Sequence, residues 1–67
     1  MVGVEEVSAF LRSKGFIIMG KLATDRLRVT DTYEIFNVIY SEDHRSKRWN
    51  CNVAHVDQLL REWQHKK

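Results

Sequence analysis

Tyr33-Glu34-Ile35-Phe36-Asn37-Val38-Ile39-Tyr40 is the stretch that decides the fold. Side chains of an extended strand alternate between its two faces. Glu34, Phe36, Val38 and Tyr40 therefore share one side, and Tyr33, Ile35, Asn37 and Ile39 share the other. Both sides carry large apolar groups, which fits a central strand or one whose second face meets a partner. The face with Phe36, Val38 and Tyr40 is the expected core face. Tyr33, Ile35 and Ile39 then form an apolar strip that stays exposed unless something covers it.

Working outward, 16–22 reads as a strand rich in β-formers, with Gly20 marking a bulge. Ala23-Thr24-Asp25-Arg26 is a turn, because Thr and Asp bond readily to their own backbone. Leu27-Arg28-Val29 alternates and reads as a short second strand, closed by a turn at Thr30-Asp31-Thr32. After the polar loop 41–47, 48–51 can add a last strand, with Trp49 and Cys51 on one face.

The flanks are helical. Val4, Val7, Phe10 and Leu11 repeat at helical spacing, with acids in the first turn and Arg12 and Lys14 in the last, as the helix dipole favours. Gly15 stands where a helix over 4–14 would close. Asn52 is a suitable N-cap for a second helix over 53–64, whose apolar stripe is Val53, Val56, Leu59, Leu60 and Trp63. The predicted order is α-β-β-β-α, with four strands if 48–51 pairs. This is an α+β two-layer sandwich in one domain over 1–67: an antiparallel meander with two helices on one face.

That order resembles double-stranded RNA-binding domains and small toxin nucleases of the same framework. The resemblance is one of element order only. Asn52-Val53-Ala54-His55 lacks the lysines expected where the RNA-binding family starts its last helix, and 33–40 lacks the strand histidine of the toxins. Neither family is assigned, and no residue roles are carried over.

Sixty-seven residues leave a thin core and little room for a cavity. The single cysteine, Cys51, cannot form an internal disulfide, which fits a reducing, cytoplasmic setting. Stability is expected to come from regular packing or from a partner. The start of the chain does not read as a signal peptide. The longest apolar run, Phe16-Ile17-Ile18-Met19, is far short of a membrane span, so no membrane association is expected.

The chain carries 11 basic and 9 acidic side chains, a net charge of +2. Residues 1–40 balance five against five, so the excess lies in 41–67. Most of it sits in His44-Arg45-Ser46-Lys47-Arg48-Trp49 and the last two lysines. Cations on a loop can reach a phosphate backbone, and an adjacent indole can stack on an unpaired base. The same run also reads as a solvated loop. Lys21, Arg26 and Arg28 form a second basic set. Alternate turns of a meander lie at one end, so the two sets can merge into one stripe.

Cys51 and His55 are half of a zinc site at best, or a nucleophile and base without an orienting third group. No metal, cofactor or small-molecule substrate is expected. Phosphate-binding and nucleophile-elbow motifs are absent from the sequence, so an enzyme is not expected. The leading reading is a nucleic-acid-binding module using Arg45, Lys47, Arg48 and Trp49 with Lys21, Arg26 and Arg28. The alternative is a protein-binding adaptor or inhibitor, or a homodimer, acting through Tyr33, Ile35 and Ile39 on the open sheet face or through a strand edge.

Overall fold

The computed structural model describes residues 2–42 and 47–66. The elements follow the order α1 (Val4–Ser13), β1 (Ile17–Ala23), β2 (Arg26–Thr30), β3 (Ile35–Ser41), β4 (Arg48–Cys51) and α2 (Ala54–His65). The four strands form one antiparallel sheet in sequential order, so 48–51 does pair. Both helices pack on the same side. The core joins Val7 and Leu11 of α1, Val56 and Leu60 of α2, and the inward row Leu27, Val29, Phe36, Val38 and Trp49. Phe36 and Val38 thus face the core as the alternation predicts, with Tyr40 packed against its margin. Phe10 and Trp63 stack at 4.4 Å between ring centres and tie the helices together.

Local chemistry sets the ends of the elements. Gly15 has φ +92°, a left-handed conformation that costs least at glycine. It lets Gly15 N–H donate to Arg12 C=O and Phe16 N–H to Leu11 C=O, the paired bonds of a Schellman stop. Helix α1 therefore ends as the Lys14-Gly15-Phe16 sequence suggests. At α2 the expected cap differs. Val53, not Asn52, is the N-cap residue, and it offers no side-chain cap. Instead Cys51 Sγ accepts from Val53 N–H at 3.4 Å.

The β2–β3 turn overturns one expectation. Asp31 Oδ1 accepts from the N–H groups of Tyr33 (2.7 Å) and Glu34 (2.9 Å). These bonds hold the Asp31 carboxyl below its ordinary value and keep Tyr33 in the turn. Tyr33 is 92% exposed and lies outside β3, so it does not continue the Ile35–Ile39 row.

Candidate functional site: the uncovered sheet face

Among the described residues, no helix or strand covers the side of the sheet away from the helices. Register places Arg26 opposite Ile39, Arg28 opposite Asn37 and Thr30 opposite Ile35, so these six share that outer face. Ile17 joins them opposite Thr30, and Asn50 opposite Ile39. Two bulges in β1 set Gly20 opposite Arg28 and Ala23 opposite Arg26. Small residues therefore flank both arginines on the β1 side, and the space a Gly20 side chain would occupy is open. Ile17, Met19, Ile35 and Ile39 are 63%, 53%, 60% and 40% exposed. No carboxylate occupies any of the paired positions on this face. The nearest acid described against its cations is Asp25 in the β1–β2 turn, 4.0 Å from Arg26 Nε.

The edges are treated differently from the face. On β4, Gln64 occupies the outward backbone of Trp49: its Oε1 accepts from Trp49 N–H at 2.8 Å and its Nε2 donates to Trp49 C=O at 3.1 Å. Asp57 Oδ1 accepts from Cys51 N–H at 3.1 Å. Helix α2 thus lends β4 the hydrogen bonds that a neighbouring strand would supply. On β1, the two bulges break the regular ladder, a common defence against strand addition.

Among the described residues, the basic set is dispersed. Arg45 lies outside the described residues, as do His44 and Ser46. Trp49 is 2% exposed, in the core, with Nε1–H donating to Val2 C=O at 2.8 Å and its ring edge-on to Tyr40. A stacking role for Trp49 is therefore overturned: no face of the indole is open to a base. Arg48 is partly buried and forked onto Asp57, Nη1 to Oδ1 and Nη2 to Oδ2, both at 3.2 Å. Its Nη1 also donates to Trp49 C=O at 2.9 Å, so Arg48 buttresses β4 rather than reaching outward. Lys47 is exposed beside a cleft shared with Glu6, Arg61 and His65. The β1–β2 turn and the end of β3 do meet, with Thr24, Asp25, Tyr40 and Glu42 lining one cleft. The described charges at this meeting point are the acids Asp25 and Glu42, and Arg45 of the loop set lies outside the described residues.

Lys21, Arg26 and Arg28 are exposed. Arg26 and Arg28 stand on the same face as Ile35 and Ile39, a grouping the separate readings of charge and apolarity missed. It follows only from the β2–β3 register. Burial pushes the Cys51 thiol up, opposite to what an attacking thiolate needs. Among the described residues, no three His, Cys, Asp or Glu side chains stand together as metal ligands, and no helix is long and apolar enough to cross a membrane.

Set against protein-family models, curated proteins and solved structures, the chain matches none. The face must be judged on its own chemistry.

If Ile35 and Ile39 are surface groups, they contribute little to folding. Ile35→Thr and Ile39→Thr keep β-branching and should each change the unfolding free energy by less than about 0.5 kcal/mol in urea titrations. Thr in place of the buried Val38 should cost more than either.

Proposed function

We propose that the chain is a non-catalytic protein-binding module that docks through its uncovered sheet face. The observation that carries this reading is the exposure of Ile17, Ile35 and Ile39 in one surface with Arg26 and Arg28. Three large apolar side chains on one side of so small a domain are costly to leave in water. Arginine is also enriched where proteins meet. The edges offer less, because β4 is occupied by α2 side chains and β1 is bulged. The single cysteine fits a reducing compartment such as the cytoplasm.

Nucleic acid is the competing ligand. Arg26, Arg28 and Asn37 are residue types that read guanine and adenine edges. With Trp49 buried and Arg48 held by Asp57, however, the stacking group and one of the expected phosphate contacts are withdrawn.

Peptide-display selection separates the two. Selection on the wild-type chain, counter-selected on Ile35→Ser/Ile39→Ser, should enrich peptides that lose at least about tenfold in affinity on that variant. Peptides that bind both forms equally would sink the reading. Gel shifts with a duplex and a single strand at about 50 and 200 mM salt form the second arm. A complex that weakens steeply with salt and needs Arg26 and Arg28 would transfer the function to nucleic acid.

A further inference from the structure

Resting on that reading, we infer that the occupant of the sheet face is an acidic amphipathic helix of another protein. Three observations lead there.

The first is backbone chemistry. The outer face presents side chains, not peptide groups, and the β4 edge is already bonded by Gln64 and Asp57. An extended segment laid on such a face finds no partners for its own N–H and C=O groups, which are costly to leave unpaired. A helix satisfies its backbone internally and needs only a complementary stripe. Helix on sheet is also how α1 and α2 already cover the opposite side.

The second is charge. Arg26 and Arg28 stand on an inner strand, flanked by Ile39 and Asn37 on one side and by the small residues Ala23 and Gly20 on the other. The paired rows hold no carboxylate, and the acid described against the arginines is Asp25 in the adjoining turn, an exposed group 4.0 Å from Arg26 and not paired with Arg28. A second copy of the chain laid face to face would bring four guanidiniums into one interface with only the exposed Asp25 of each copy, 4.0 Å from Arg26, as described counter-charge, and like charges across an interface oppose association. The two arginines call for carboxylates from a different protein.

The third is spacing. Alternate residues of a strand are about 6.7 Å apart. Carboxylates at i and i+4 of a helix rise about 6 Å. Two acids one helical turn apart therefore match Arg26 and Arg28, while aliphatic groups beside them meet Ile35 and Ile39 on one flank and Ile17 on the other. The gap over Gly20 leaves room for the helix to approach Arg28.

The test uses a synthetic helical peptide of about 18 residues, with Glu at i and i+4 and Leu at flanking positions. A neutral peptide has Gln in place of Glu, and a third has Lys. The full chain is titrated with each and followed by amide NMR shifts. The acidic peptide should move the signals of Arg26, Arg28, Ile35 and Ile39 and bind at about 10–100 μM. Arg26→Glu/Arg28→Glu should weaken it at least tenfold, and the Lys peptide should recover binding on that variant, which also proves the variant folded. The chain alone should remain monomeric at the titration concentration. The inference falls if the neutral helix binds as tightly as the acidic one, if the charge swap brings no recovery, or if the free chain dimerises through this face. Neutral binding at the face would still leave the protein-docking reading standing. Shifts confined to β1 or the helices would remove the inference, while the display selection decides the broader reading separately.

Discussion

Replacing Trp49 with alanine is expected to remove about 3–5 kcal/mol of stability at 25 °C. Trp49 is the largest of the fully buried side chains, and it sits on β4, the strand that joins the sheet to α2. Truncating a buried tryptophan costs about 3–5 kcal/mol, from lost transfer energy and the cavity left behind. A domain of this length has a total stability of about 3–10 kcal/mol, so the loss takes at least about a third of it. The Nε1–H bond to Val2 C=O also goes, and it fastens the segment before α1 to β4. Trp49→Phe separates the two contributions: it keeps most of the apolar volume and should cost about 1–2 kcal/mol. Urea unfolding followed by circular dichroism measures both. If Trp49→Ala unfolds with a midpoint near that of the wild type, the indole is not the centre of the core and its role at the surface must be reconsidered.

The fold was legible where local chemistry and tertiary packing agree. Alternation in 33–40 separates Phe36 and Val38 from Ile35 and Ile39, and the bare outer face follows from it. Gly15 marks the end of α1 because only a left-handed residue there permits the two closing bonds. The failures lie where a single side chain decides. Asp31 binds two amides and draws Tyr33 out of the strand. At α2 the thiol of Cys51 takes Val53 N–H, and helical geometry starts after Asn52's expected place.

The site was legible only in pieces, because cross-strand register is not written in any one segment. Arg26 and Arg28 were visible as charges, and Ile35 and Ile39 as an apolar strip. Their union depends on Arg26 pairing with Ile39 and Arg28 with Asn37. Trp49 and Arg48 misled for the same reason. Beside Lys47 in sequence they look like one exposed cluster, yet adjacent strand residues face opposite ways. The pairing of Tyr40 with Trp49 turns the indole inward, and a carboxylate nine residues on claims the guanidinium. A useful signal was present in 48–51: Trp49 shares its face with Cys51, and a four-residue strand has few other groups to bury.

That carboxylate carries the second large effect. Asp57 accepts both guanidinium nitrogens of Arg48 and the N–H of Cys51, and Arg61 Nη2 lies 3.6 Å from its Oδ2. Asp57→Ala should cost about 2–3 kcal/mol, because it strands a partly buried guanidinium and an edge amide together. Asp57→Asn keeps an acceptor for Cys51 N–H and should cost less, about 1–2 kcal/mol. The same site predicts an acid limb. Burial alone would raise the Asp57 carboxyl, but the hydrogen bonds from Arg48 and Cys51 and the charges of Arg48 and Arg61 outweigh it and hold the group below its ordinary value. A carboxyl depressed in the folded state binds its proton later than in the unfolded chain. Its stabilisation is therefore complete well above the unfolded value of about 3.9, and is lost as the pH falls through the lower folded value. Asp31, lowered by the Tyr33 and Glu34 amides, loses its contribution in the same direction. Urea midpoints measured from pH 7 down to pH 2 should fall for the wild type below about pH 4. Asp57→Asn should start lower at pH 7 and fall less steeply, converging on the wild type in acid. Parallel curves, separated by the same amount at every pH, would mean that Asp57 acts through packing and not through its charge.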